Sequence, residues 1–330
     1  MTNPEEFDFR TTPTDNPLVF RRDIVPKGTS DWEIRQALRD KTIERVWWGT
    51  YVRVTESDDE DTITRREERY LDMIRAALRT GRPNRFLSHQ SAAAMLKIPL
   101  LQPDLSTVHF VSRRSGRTSP NLAIHQTDVP DEHLVTIDGT TMTSIGRTVC
   151  DVAMTGTPRQ ALCALDSGLY QASRRNEHID LDAIASTLRR QHGIATLRAA
   201  LPFASKGSES IGESLSKCVI CENPSIPEPE LQVEVTVADG SVKRCDFGWR
   251  DAEGRVLVVG EFDGKFKYHR ESAASGHRLS EEVIYAEKLR EDAIRDCGII
   301  VVRWTWADLR DPVKFAKKIM QALQRAGLVA

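Results

Sequence analysis

Residues 253–268, EGRVLVVGEFDGKFKY, place acids and ammonium groups at the end of an apolar run. Val256, Leu257, Val258 and Val259 follow one another without a polar residue, the pattern of a strand buried on both faces. Glu261 and Asp263 come next and, two residues apart, share one side of that strand. Lys265 and Lys267 follow at once. Asp246 lies in the preceding strand-like segment, VKRCDFGW at 242–249. If the two segments pair as a hairpin, Asp246 and Glu261 approach the same end of the sheet. Carboxylates a few ångströms apart repel, and burial adds to the penalty unless a cation neutralises them. Mg²⁺, or Mn²⁺ in its place, suits such oxygen ligands and retains several waters. It supplies Lewis-acid activation of a phosphodiester, and a neighbouring ammonium steadies the charge that develops. Glu213, on a helical segment earlier in the chain, can add a third carboxylate.

The elements that must position these groups follow in order. The sequence predicts a helix over 208–222, strands at 231–237, 242–249 and 255–262, a helix over 280–296, a strand at 298–304 and a closing helix over 311–326. Helix, three strands, helix, strand is the core order of the PD-(D/E)XK nuclease fold. His269 and His277 fall in the polar loop FKYHRESAASGHRLS at 266–280, and Trp304 and Trp306 read as packing residues at a strand end. Glu287, Arg290 and Glu291 stand at helical spacing and also suit ordinary surface pairs.

Ahead of this region, residues 1–17 read as a disordered arm, 18–54 as a compact module, and ESDDED at 56–61 as a solvated break. Residues 64–203 form an α+β middle domain. It has helices in RREERYLDMIRAALRT and HQSAAAMLKI, strands TVHFVS and NLAIHQ, and the basic loop RRSGRTS at 113–119 between them. Further helices are predicted over 144–154, 158–171, 180–191 and 194–200, and the Gly/Ser-rich junction ASKGSES at 204–210 precedes the last domain, 208–330.

In the 18–54 module, Thr29 or Ser30 can cap the amphipathic run DWEIRQALRD, whose Ile34, Ala37 and Leu38 share a face. TIERVWWGTYV then reads as a hairpin through Gly49. A helix followed by a hairpin is the second half of a winged helix-turn-helix. Arg35, Arg39, Lys41 and Arg45 would meet phosphates, Trp47-Trp48-Gly49 would form the wing, and Arg113 and Arg114 add basic charge in the middle region. A small helix–hairpin packing unit without nucleic acid accounts for the same pattern.

Two resemblances extend this reading. GTS, IRQALRD and IERVWWGTYV, with FLSHQSAAAMLKIPL, TSIGRTVCDVA and ALCALDSGL, resemble the AbiEi-family antitoxins of type IV toxin–antitoxin systems over roughly the first 200 residues. That resemblance implies a winged helix that binds operator DNA and represses its own operon, and a cognate toxin as partner. ESIGESLSK, LQVEV, DFGW, EFDGKFKY, EKLRED and VVRWTWADL resemble very-short-patch-repair-like PD-(D/E)XK domains over about 120 residues. Carried over position by position, Asp246 and Glu261 would be the metal carboxylates, Glu213 the helix glutamate and Gln232 the polar residue of the first strand. The lysine position of the (D/E)-x-K motif falls on Asp263, so Lys267, Lys265, Lys288 or Arg290 would have to supply the cation.

The 330 residues are 40% hydrophobic and 28% charged, with a net charge of −2, which suits several globular cores and excludes a global polycation. No apolar run approaches the ~20 residues of a membrane span. MTNPEEFDFR lacks the basic start and apolar core of a secretory signal, so a cytoplasmic location is expected. Only Cys218 and Cys221 form a C-x-x-C, with no paired histidines to complete a zinc site, and the six cysteines read as free thiols. The expected function is a DNA-binding protein with a Mg²⁺-dependent endonuclease-like domain, in defence against foreign DNA. The alternative is an antitoxin-like repressor whose nuclease-like domain does not cut.

Overall fold

The computed structural model describes residues 18–54, 62–81, 84–264 and 281–329. The arm at 1–17, the break at 56–61, Lys265, Lys267 and the loop at 266–280 lie outside the described residues. The fold is mixed α/β. Its contacts form two compact units, one reaching Met95 and including Asp104–Met142, the other comprising Leu96–Pro103 and Thr143–Ala330.

In the first unit, β1 (Leu18–Phe20), β3 (Thr50–Arg53) and β2 (Ile43–Trp47) form a three-stranded antiparallel sheet in that order. Helix α1 (Arg21–Ile24) and helix α2 (Asp31–Arg39) lie between β1 and β2. Ser30 starts α2 through a capping box with Glu33, which satisfies donors that the first turn cannot pair internally. Val19, Ile24, Ile34, Ile43 and Tyr51 make one small core. The hairpin turns at Gly49, whose φ of +63° a side chain would disfavour.

The same unit contains α3 (Thr62–Thr80), α4 (His89–Leu96) and a six-stranded sheet of order β6-β7-β5-β4-β9-β8. Its strands are β4 (Phe86–Leu87), β5 (Val108–Ser112), β6 (Arg117–Ser119), β7 (Leu122–Gln126), β8 (Leu134–Ile137) and β9 (Thr140–Thr143). β5 and β7 pair in parallel, and β6 returns antiparallel on β7. Part of the segment expected as a basic loop is therefore strand: Arg117–Ser119 gains a hydrogen-bonded partner in β7, which no local pattern announces. Tyr70 of α3 ties this layer together, its hydroxyl 2.7 Å from Ser91 Oγ and 2.8 Å from the Thr107 carbonyl it donates to.

The second unit begins with α5 (Ile145–Thr155), α6 (Pro158–Arg174), α7 (Leu181–Thr187) and α8 (Ile194–Ala200). The pairing of α5 with α6 is close because Gly168 leaves no Cβ to meet Val149. Then come α9 (Ile211–Cys221), β10 (Glu230–Thr236), β11 (Val242–Arg250), β12 (Val256–Asp263), α10 (Glu281–Asp296), β13 (Ile300–Thr305), α11 (Trp306–Leu309) and α12 (Pro312–Arg325). The sheet order is β10-β11-β12-β13, antiparallel except that β13 runs parallel to β12. Phe247, Trp249, Val258 and Trp304 pack on one face with α12, and Val233, Cys245, Val259 and Ile294 on the other. Trp304 is a core residue, its indole N–H donating to Ser216 Oγ at 2.7 Å.

The grouping of contacts differs from the division at 203–208 read from the sequence. The junction is packed: Ser205 N donates to Asp166 Oδ1 of α6 at 2.8 Å, and Lys217 of α9 donates to the Phe203 carbonyl at 2.9 Å. Lys217 also pairs with Asp166 at 2.7 Å, with both side chains buried. Polar Gly/Ser composition resembles a linker, yet a buried charge pair anchors this segment to the helices on either side. No helix among the described residues is long and apolar enough to cross a membrane.

Candidate functional site

At the β11–β12 end of the C-terminal sheet, the backbone is bent to present polar groups. Gln232 of β10 has φ +54°, a left-handed conformation uncommon for a side-chain-bearing residue. Register continues on either side of it, Leu231 opposite Phe247 and Val233 opposite Cys245, so Gln232 and Asp246 face each other at a break in the ladder. The consequence is visible in packing. Leu231 and Phe247 contribute to one core, Val233 and Cys245 to the other.

Asp246 emerges at that break. Its Oδ2 accepts a hydrogen bond from the backbone N–H of Phe262 at 2.9 Å, which holds it beside Glu261. Burial, then the neighbouring Glu213 carboxylate and, more weakly, Glu261 push the Asp246 carboxyl up to about 7, against the opposing Phe262 N–H. Glu261 is 8% exposed. Arg303, opposite it in the parallel register, donates to Oε2 at 2.9 Å. Arg290 of α10 pairs with Oε1 at 2.7 Å and also donates to the Arg244 carbonyl. Glu287 and Glu291 complete the network around Arg303.

Glu213 approaches from α9. It is the N3 residue after the cap Ser210, and its carboxylate accepts from Ser210 Oγ at 2.7 Å, Glu209 N at 2.8 Å and Gln232 Nε2 at 3.1 Å. Much of its acceptor capacity thus closes the helix start. Asp263 is half-buried on the same strand as Glu261, opposite Thr305. Lys288 is exposed on α10, while Lys265 and Lys267 fall outside the described residues.

The sequence-predicted acids are therefore neighbours, with Gln232 bridging to Glu213, but their oxygens do not converge tightly. Among the described residues, the group with ligand atoms all within 4.8 Å of one another is His89, His109 and His125, not the three carboxylates. An all-oxygen pair, Asp246 with Glu261, fits Mg²⁺ or Mn²⁺, which commonly take one or two carboxylates and keep their waters. Glu261 Oε1 is buried but faces the Arg290 guanidinium at 2.7 Å, which an ion there would have to displace. Arg303, which the sequence reading did not single out, is a second guanidinium partner of Glu261. Its only signal was its place in the strand that register sets against β12.

The basic residues of the N-terminal module reach solvent. Arg35, Arg39, Lys41 and Arg45 are exposed, and Trp48 at the hairpin tip is 57% exposed while Trp47 is buried. Arg113 and Arg114 are both exposed, and Arg113 also donates to the Val129 carbonyl and to Asp131.

The histidines form a second cluster, in the first unit. His89 begins α4, His109 sits on β5 and His125 on β7. His109 Nδ1 lies 3.0 Å from His125 Nε2, and ring centroids are separated by 4.0–5.4 Å in a stacked arrangement. Burial and the adjacent His125 lower the His109 imidazole to about 4, and burial lowers His125. No periodicity or short motif links these three positions, so sequence reasoning missed them.

No protein-family model matches the chain, and no curated protein matches it. Among solved structures, the chain is similar to the crystal structure of the RV2827C protein from Mycobacterium tuberculosis, with a TM-score of 0.34 and 15% identity over 58% of this chain and 78% of that one.

Proposed function

We propose that the chain is a DNA-binding protein whose C-terminal domain is a metal-dependent endonuclease of the PD-(D/E)XK type. One observation carries this reading: the Phe262 N–H fixes Asp246 beside the buried Glu261, so two adjacent strands present a carboxylate pair in a confined, half-dry site. The order α9, β10, β11, β12, α10, β13, with β13 parallel to β12, supports the fold assignment. Asp246 and Glu261 would hold the ion, and Gln232 with Glu213 would support Asp246 from behind. When bound, Mg²⁺ or Mn²⁺ supplies Lewis-acid activation of the phosphodiester. Arg290 and Arg303 orient Glu261 and offset its charge until the ion arrives. Lys265 and Lys267 follow the strand directly and are the candidates for steadying charge on the phosphate. The exposed Arg35, Arg39, Lys41 and Arg45 would engage the DNA backbone.

A second reading rests on a specific observation. Two guanidiniums already neutralise Glu261, which favours an antitoxin-like repressor whose nuclease-like domain binds without cutting, in company with a cognate toxin. Plasmid nicking by the full chain with Mg²⁺ or Mn²⁺ separates the two. Wild type should nick, and Asp246→Ala and Glu261→Ala should each abolish it. Absent cleavage by wild type transfers the conclusion to the repressor, and cleavage that persists in chelator overturns the assignment of the carboxylate pair to a metal.

A further inference from the structure

The three-histidine cluster has a chemistry distinct from that of the carboxylate pair. We propose that His89, His109 and His125 are a binding site for one borderline transition-metal ion of the Zn²⁺ or Co²⁺ type. Three elements deliver the rings. β5 and β7 pair in parallel, with His109 opposite Ala123 and His125 opposite Val111, so the two histidines lie diagonally on one face. The Ser88 N–H donates to the His109 carbonyl at 3.1 Å and docks the start of α4 over that face, which brings in His89.

Three ligand atoms within 4.8 Å of one another are the arrangement that a single ion needs. The 3.0 Å separation of His109 Nδ1 and His125 Nε2 requires one nitrogen to donate and the other to accept, so both rings cannot be charged. An ion about 2.0–2.1 Å from each nitrogen, the usual Zn–N distance, fits between them at roughly a right angle. Each ring then carries its single hydrogen on the nitrogen turned away from the ion, and no net proton is needed or lost. The His89 ligand atom lies within 4.8 Å of the others and closes by a small ring movement.

His89 is 5% exposed and adopts φ +50° at the start of α4. His109 Nε2 is buried without a hydrogen-bond partner and would keep its hydrogen when Nδ1 ligates. Ser88 Oγ, 2.9 Å from His89 Nδ1, fixes that ring as outer hydrogen bonds do at metal sites. Imidazole donors select Zn²⁺, Co²⁺, Ni²⁺ or Cu²⁺ and disfavour Mg²⁺ and Ca²⁺. Three protein ligands leave a fourth position for water or an anion, the arrangement of an open rather than a closed zinc site.

The experiment uses the full chain, stripped with chelator and titrated with Co²⁺ and with Zn²⁺ against a competing chelator. Wild type should bind one equivalent. His109→Asn and His125→Asn should each weaken binding by more than about tenfold. The double variant Cys218→Ser/Cys221→Ser and the variant Asp246→Asn should leave this site intact. Imidazole nitrogen resonances of the wild type, followed on adding Zn²⁺, provide a readout that does not depend on the variants folding. Absence of stoichiometric binding, binding lost only in the cysteine variant, or imidazole signals unmoved by Zn²⁺ would each overturn the assignment.

Discussion

Replacing Asp246 by Asn keeps its shape and an oxygen to accept the Phe262 N–H while removing the charge. Holding the carboxyl at about 7 instead of its ordinary 3.8 means that the folded chain resists ionisation there. The folded state thus binds this proton more tightly than the unfolded state. Stability from this group is full below about pH 4 and declines as pH rises, until by about pH 8 the ionised form costs on the order of 4 kcal/mol. Asp246→Asn removes that cost. In chelator, the variant should therefore exceed wild type by about 4 kcal/mol at pH 8, by less than about 2 kcal/mol at pH 5, and match it only near pH 3, as measured from the urea transition of the C-terminal unit followed by tryptophan fluorescence. Mg²⁺ at pH 8 should stabilise wild type and leave the variant unchanged, since binding to the folded state alone raises stability with ligand concentration. A variant that is less stable than wild type at both pH 8 and pH 5 would refute the charge argument. Equal gains from Mg²⁺ in both proteins would refute the placement of the ion.

Other consequences follow from the packing and the exposed charges. Lys217→Met leaves Asp166 buried without its cation and should cost about 3–5 kcal/mol, read from the shift in denaturation midpoint. Gly260→Ala should destabilise by about 1–3 kcal/mol, because a Cβ there overlaps the Trp304 ring, itself locked to Ser216. Arg35→Ala and Arg39→Ala should weaken DNA binding almost equally on any sequence and lower the salt slope by about 1 each, with the melting transition unmoved.

Local chemistry settled much of the chain before any tertiary contact. Ser30 and Glu33 announce the start of α2, the unbroken run Val256–Val259 announces a strand buried on both faces, and two-residue spacing puts Glu261 and Asp263 on one side. These features depend on neighbours within a few residues, which is why they are legible in a linear reading. The short strands β4, β6, β8 and β9 were not legible, since each owes its existence to a partner strand rather than to its own pattern. Only the tertiary structure decided that Arg303 and Arg290 would meet Glu261, because register across β12 and β13 and the docking of α10 set those pairs. It alone joined the helices α5–α8 to the C-terminal sheet, through the buried Lys217–Asp166 pair in what composition reads as a linker. It alone gathered His89, His109 and His125, from positions as far as 36 residues apart, around one point. Side chains that meet across separate elements carry no shared period, so their chemistry arises only when the chain has folded.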